Sequence, residues 1–404
     1  MSEHLRLLAG WAETGAPAGL AAHVARYGRL ELPARLVTTV ARSGLRGRGG
    51  GGFPTARKMA AVAAGRGRRV VVANGCESDP TGAKDAVLLE LAPHLVLDGM
   101  VLAAHAVGAA EAVLCLHTGS RLLGPLAAAI DARRGDPVPV VLAEIPRRYV
   151  ASEESALVNA LTTGDARPTT APRPAHRGVH GRPTLVDNVE TLAHLALIAR
   201  HGDGWFRRAG TADAPGTALV TVGGAVAAPG VFEIETGTSV GEVLALAGGP
   251  VEPPGAVGLG GLGGRWLPFP QAGGLPVTVG TGVAALVALP ERACGVAETA
   301  RVVRHLADES AGQCGPCMFG LPAVADDLEV LADGADASGA VLRRLRRRLG
   351  VIPGRGACAH PDGAVRLAAS ALGVFATDVA RHARGRSCAG AGAPPWVPLP
   401  AVFR

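Results

Sequence analysis

Four stretches of this chain carry residue types at spacings that chemistry uses. The first is Ser43-Gly44-Leu45-Arg46-Gly47-Arg48-Gly49-Gly50-Gly51-Gly52-Phe53-Pro54-Thr55, followed by a helix-like segment with Arg57 and Lys58. Glycine has no Cβ, so its amides can approach an anion closely and take up positive φ where needed. Such a loop leading into a helix N-terminus is a ready phosphate site. It lacks the Gly-Lys-Ser/Thr of a P-loop and the preceding strand of a dinucleotide fingerprint. The second stretch is the polar turn Asn74-Gly75-Cys76-Glu77-Ser78-Asp79-Pro80-Thr81-Gly82-Ala83-Lys84-Asp85, which on its own reads as a surface turn. The third, Tyr149-Val150-Ala151-Ser152-Glu153-Glu154-Ser155, has the form of a helix start, with Ser152 as N-cap and acids in the first turn. The fourth is Glu309-Ser310-Ala311-Gly312-Gln313-Cys314-Gly315-Pro316-Cys317, with Cys358 some forty residues on. Two thiolates on a Gly/Pro turn and a third from a remote loop suit an iron–sulfur cluster, while a C-x-x-C pair alone also suits zinc or thiol redox chemistry.

The elements that must position these residues follow from pattern. Arg69–Asn74 is a short apolar run ending in a polar turn, the signature of a buried parallel strand. Residues 110–117 and 138–145 repeat it, with Ala-rich helical segments between, which predicts an α/β domain with a parallel sheet binding its ligand at the strands' carboxyl ends. Residues 30–42 read as a helix leading into the glycine loop. Residues 95–116 form the most apolar stretch, but Asp98, His105 and Glu111 within it argue for a core helix over a membrane span. From residue 216 to about 279, β-prone runs and Gly-Pro breaks predict a small β-grasp module, read as scaffolding without chemistry. The divisions expected are a helical extension over 1–29, an α/β domain over 30–210, the β-grasp module over 211–285, a helical cysteine domain over 286–385, and a poorly ordered Gly/Ala/Pro tail over 386–404.

Composition narrows the function. Aromatic residues make up 3% of the 404, so the core is built from Ala, Val and Leu. The net charge of +6 is almost wholly arginine, since Lys58 and Lys84 are the lysines. No basic stripe with interleaved aromatics is present, which argues against nucleic acid. The seven cysteines at irregular spacing argue against a disulfide framework, and no secretory pattern opens the chain, so a reducing cytoplasmic setting without membrane insertion is expected.

Taken together, the four stretches resemble the NADH-binding flavoprotein subunit of respiratory complex I and its relatives in formate dehydrogenases and hydrogenases. The glycine loop matches the family's S-G-L-R-G-R-G-G-A-G-F-P-T-G except at Gly51 and Ala56. Asn74, Glu77, Asp79, Pro80, Lys84 and Asp85 match N-A-D-E-x-E-P-G-x-F-K-D, with Cys76 where the family has Asp. Residues 149–157 resemble Y-I-C-G-E-E-T-A-L. Residues 181–192 resemble G-K-P-T-T-I-N-N-V-E-T-L, with Asp187 for an Asn. The cysteine stretch resembles E-S-C-G-x-C-x-P-C.

The resemblance implies a Rossmann-like FMN-binding domain, a β-grasp module and a helical iron–sulfur domain. It implies that Gly49, Gly50, Gly51, Gly52 and Asn188 hold the FMN phosphate and that Asn74 and Glu77 hold the flavin. Arg48, Phe53, Lys58, Ser78, Lys84 and Ser152 join the cofactor-binding set, and Glu153 and Glu154 face the nicotinamide of NAD(H). Cys314, Cys317 and Cys358 become metal ligands. The implied partners are NADH and iron–sulfur or ferredoxin-like redox subunits, with a quinone- or ferredoxin-type acceptor. Because Ala311 replaces a family cysteine, the cluster is either [4Fe–4S] completed by Asp308, His360, water or a partner's group, or a labile [3Fe–4S] centre. Thr170, Arg173 and Ala61 stand where the family has a lysine and two aromatics that grip NADH. A divergent paralogue without NADH oxidation, acting in electron transfer or assembly, is therefore the alternative.

Overall fold

The computed structural model describes residues 5–170, 172–280, 282 and 284–400. Four strands, β1 (Arg69–Asn74), β2 (Ala109–His117), β3 (Val140–Ile145) and β4 (Thr184–Asn188), form a parallel sheet in the order β3-β2-β1-β4. Val70, Val71, Val72 and Ala73 are fully buried, as a β-branched run must be when helices cover both faces of its sheet. The strand order reverses between β1 and β4, and Asn74 pairs in register with Asn188 at their carboxyl ends. That is the switch point where open α/β sheets take their ligands.

The apolar stretch expected as one helix divides at Gly108, whose left-handed φ of 68° ends the helix Pro93–Val107 and lets the chain turn into β2. This helix packs so closely on the helix Val189–Phe206 that a Cβ on Gly99 would stand 1.9 Å from the Leu192 carbonyl oxygen. The helix expected from residue 30 begins only at Leu36, because Pro33 forces the residue before it out of helical geometry. Leu7 and Leu8 of the N-terminal segment join the core of the parallel-sheet domain, and their amides donate to the buried Glu233 carboxylate at 3.0 and 3.1 Å.

The second sheet holds β5 (Thr217–Gly224), β6 (Gly230–Glu235), β7 (Pro254–Leu259), β8 (Arg265–Pro268) and β9 (Ala285–Pro290), in the order β6-β5-β9-β7-β8. Its helix Val240–Leu246 starts with a capping box between Ser239 and Glu242. The helices Gly295–Asp308, Leu321–Ala332, Ala340–Val351, His360–Val374 and Ala376–His382 form a third core around Val303, Leu306, Leu328 and Leu345. No single helix among the described residues is long and apolar enough to cross a membrane.

The segment after residue 386 corrects the expectation of a poorly ordered tail, although its last four residues lie outside the described ones. Glu298 accepts the amides of Trp396 and Val397 at 2.8 and 3.2 Å, Arg301 donates to the Val397 carbonyl at 2.7 Å, and Val397 is buried. Partners on another helix satisfy this backbone, and composition cannot reveal them.

Candidate cofactor-binding site

A cavity of about 420 Å³ opens at the switch point, within the usual size range of small-ligand sites. Each domain contributes to its wall. Gly49, Gly50 and Gly51 come from the glycine loop, and Asn74, Glu77, Ser78 and Lys84 from the turn after β1. Ser152 and Glu153 line it beside Asn188, and Cys358 and His360 of the helical domain close it from the far side.

The four glycines do different work. A Cβ on Gly49 would stand 3.3 Å from Cβ of Asn188. Gly50 has φ 100°, and its carbonyl accepts the Gly282 amide at 3.3 Å. Gly52 has φ 58° and lies so near Gly280 that a Cβ would meet its Cα at 2.8 Å. Gly51 lines the cavity with nothing within 4 Å of where its Cβ would be. This is the cradle a close-approaching anion needs. Gly50 and Gly52 are thus required mainly by packing on the second module, and Gly51 by the cavity.

Buried charge surrounds the cradle. Lys84 Nζ lies 2.6 Å from Asp85, 2.9 Å from Glu190 and 3.2 Å from Asn188 Oδ1. Burial works against its charge, but these acids raise its pKa above the ordinary lysine value. Burial also works against ionised Glu190, but Lys84, His194 and Arg48 more than offset it and hold the carboxyl at about 2. Glu77 is pushed up to about 8 by burial and by the neighbouring Asp85. Its Oε1 is buried without a partner while Oε2 accepts the Asp85 and Ala86 amides at 3.2 and 3.3 Å. An open cradle and an unpartnered buried acid oxygen fit a flavin nucleotide bound by backbone amides.

Several expected residues lie elsewhere. Gly52, Phe53, Lys58 and Glu154 are not on the cavity wall. Phe53 is 42% exposed with the Arg57 guanidinium 5.6 Å from its ring. Lys58 donates to the Val186 carbonyl at 2.7 Å and pairs with Glu154 at 3.3 Å and Asp187 at 3.5 Å. That pairing turns Glu154 away from its neighbour and answers the acid at Asp187, whose carboxyl burial raises to about 6. Ser152 is not the N-cap. It ends a short 3₁₀ turn, and Glu153 caps the helix Glu154–Thr163, accepting the Ser155 and Ala156 amides at 2.9 and 3.1 Å. Asn188 likewise caps its helix, and Asn74 Nδ2 donates to the Ser152 carbonyl at 2.9 Å, tying two cavity walls together.

The second module is more than scaffolding. Gly260, Gly263 and Gly282 line the cavity, and the Leu262 amide donates to Asp79 at 2.8 Å. Tyr149 and Arg366 also line it. A second glycine run, Gly258 to Gly264, was the available signal for the module's part, whereas nothing local in the sequence marked Arg366.

The cysteine motif adjoins the same cavity. Cys317 is buried, and Cys314 and Cys358 are partly exposed. Burial pushes the Cys317 thiol up to about 12, aided by Cys314 and Cys358 close by. Burial also acts on Cys314, but the amides of Ala357 and Cys317 and the Cys317 thiol lower it below its ordinary value. The donor set is three thiols from two segments, with Ala311 offering none. His360 Nε2 is engaged with the Leu306 carbonyl at 2.7 Å, while its Nδ1 is buried without a partner. These residues fit an iron–sulfur cluster with three cysteine ligands.

A parallel sheet with a cavity at its switch point, closed by a cysteine-bearing helical bundle, has the layout to hold a flavin beside an iron–sulfur centre. Residues 40–197 match the Nuo51 FMN-binding domain, 219–264 the SLBB domain, and 297–382 the NADH-ubiquinone oxidoreductase-F iron-sulfur binding region. The second of the NADH-quinone oxidoreductase F subunits of Rhizobium meliloti is 31% identical over 388 residues, covering 88% of this chain and 90% of that one. The NADH-quinone oxidoreductase F subunit of Escherichia coli is 32% identical over 373 residues, covering 85% and 83%. The crystal structure of an NAD+-reducing [NiFe]-hydrogenase in the H2-reduced state superposes with a TM-score of 0.85 at 32% identity, covering 94% of this chain and 67% of that one. The chain belongs to the family of NADH-quinone oxidoreductase F subunits, NADH-binding FMN flavoproteins with an iron–sulfur binding region.

Proposed function

We propose that this chain passes electrons between NADH and a one-electron redox partner, using FMN in the switch-point cavity and an iron–sulfur centre on Cys314, Cys317 and Cys358. The observation that carries this reading is that one cavity is walled by the glycine cradle, by Glu153 and by Cys358. FMN, when bound, supplies the exchange between two-electron hydride chemistry and one-electron chemistry. The amides around Gly51 receive the phosphate, and Asn74 and Glu77 offer hydrogen bonds to the ring. Glu153, held by its own helix start, sets the charge beside the nicotinamide. No general base is needed for hydride transfer, which suits a wall whose Glu153 is engaged by its own helix amides. The direct acceptor is proposed to be an iron–sulfur or ferredoxin-like subunit, with a quinone- or ferredoxin-type acceptor beyond it.

Exposed Thr170 and Arg173, where the family resemblance calls for a lysine and a phenylalanine, favour a second reading in which flavin binds but NADH does not reduce it. Anaerobic absorption spectra decide between them. Bleaching of the bound flavin by NADH supports the first reading, and a flavin that dithionite bleaches but NADH does not supports the second. Protein that binds no FMN refutes both.

A further inference from the structure

Outside the cavity, among the described residues, one trio of metal-ligating side chains brings its donor atoms within 4.8 Å of one another: Cys294, His382 and Cys388. Cys294 caps the start of the helix Gly295–Asp308, His382 ends the helix Ala376–His382, and Cys388 lies in the turn that follows. We propose that these three side chains form a second metal site for a zinc-class divalent ion, which staples the strap after residue 386 to the helical domain.

Distance and chemistry both favour it. Zinc bonds of about 2.3 Å to sulfur and about 2.05 Å to nitrogen at a tetrahedral angle place the two donors about 3.6 Å apart. Cys294 Sγ and His382 Nε2 stand 3.6 Å apart. Two thiolates and an imidazole are a borderline-soft set that selects zinc over magnesium or calcium. The fourth position is left to water or a small ligand.

The pocket is built, not incidental. His382 is fully buried, its Nδ1 has no partner, and its Nε2 meets the Cys388 amide at a long 3.4 Å and Cys294 Sγ at 3.6 Å. Gly390 presses the turn onto Cys294 so closely that a Cβ there would stand 2.2 Å from the Arg292 carbonyl oxygen and 2.6 Å from the Cys294 nitrogen. Beyond it, Glu298 and Arg301 hold Trp396 and Val397, so the chain after Cys388 is anchored at two places, to the helix Gly295–Asp308 and to the residues before it. The site is also separate from the cluster motif. Cys294 precedes the helix 295–308 and Cys314 follows it, and its fourteen residues span about 21 Å.

The test is metal analysis of the full-length chain, purified anaerobically, incubated with excess zinc sulfate and desalted. About one zinc per chain is expected in the natural protein and in Cys314→Ser, falling at least about fivefold in Cys388→Ser. Cobalt chloride loading of the natural chain should produce thiolate-to-metal charge transfer and the intense visible bands of a tetrahedral site. This spectrum serves even if Cys388→Ser does not fold. Retention below about 0.2 zinc per chain overturns the proposal, as does zinc lost equally from Cys314→Ser, which would place the ion in the cluster motif. A mass two hydrogens light, locating a Cys294–Cys388 disulfide in the anaerobic protein, overturns it too.

Discussion

Replacing Gly51 with valine isolates what the glycine loop does for ligand from what it does for packing. No atom lies within 4 Å of a Cβ at position 51, and its φ is outside the left-handed region, so the folded chain should tolerate the side chain. The same side chain enters the space a phosphate must occupy to meet the loop amides. Hydrogen bonds to a charged group contribute about 1.5–3 kcal/mol each. Displacing the phosphate from two amides therefore costs about 3–6 kcal/mol, or roughly 10²–10⁴ in Kd. Gly50→Ala is the contrasting variant. With φ 100° and a Cβ 3.2 Å from the Gly282 backbone, it should lose about 1–2 kcal/mol of stability. Titration by quenching of FMN fluorescence and thermal melting of the FMN-free chain measure the two effects. Unchanged FMN affinity in Gly51→Val, with the fold intact, would refute the assignment of the cradle.

Three further outcomes follow from the same geometry. Glu77 has a folded pKa raised from 4.5 to about 8, so the folded state keeps a proton that the unfolded chain releases. Its stabilising effect is complete below about pH 4.5 and fades as pH rises to about 8; Glu77→Gln should flatten that part of the melting-temperature profile, and an unchanged slope would count against a protonated Glu77. Glu153→Gln keeps one acceptor for the helix amides, so stability should fall by no more than about 1 kcal/mol while nucleotide affinity or flavin potential shifts. If neither affinity nor potential changes, Glu153 is only a helix cap. Ala311→Cys adds a fourth thiol to the three present, so it should raise iron retention in air and convert a three-iron EPR signal to a four-iron one; a natural protein already holding a stable four-iron cluster on cysteines alone would contradict the ligand count.

Local sequence was a good guide where function rests on backbone or on residues adjacent in the chain. β1 runs from Arg69 to Asn74 as read, because a β-branched run followed by Asn-Gly has few other conformations. The glycine loop and the turn after β1 do meet at one cavity, because a parallel sheet brings strand ends to one edge. Side-chain direction was less legible. Glu153 and Glu154 are neighbours, yet one caps a helix on the cavity wall and the other reaches Lys58, a choice made by a lysine 96 residues away.

What the sequence determined by itself was the class of chain: a parallel-sheet domain, a small β module and a cysteine-bearing helical domain, each set by periodicity and by motifs whose residues lie within a few positions of one another. Tertiary structure alone decided what closes the cavity and what lies outside it. Gly282, Cys358 and Arg366 reach its wall because three cores pack around one gap, and Lys58 leaves it because Asp187 and Glu154 offer nearer partners. It also decided that Cys388 meets Cys294 and His382, since only the docking of the final segment on Glu298 brings together residues 94 positions apart. Hydrogen bonds and close glycine contacts over such separations are satisfied in space and leave no period or spacing in the sequence.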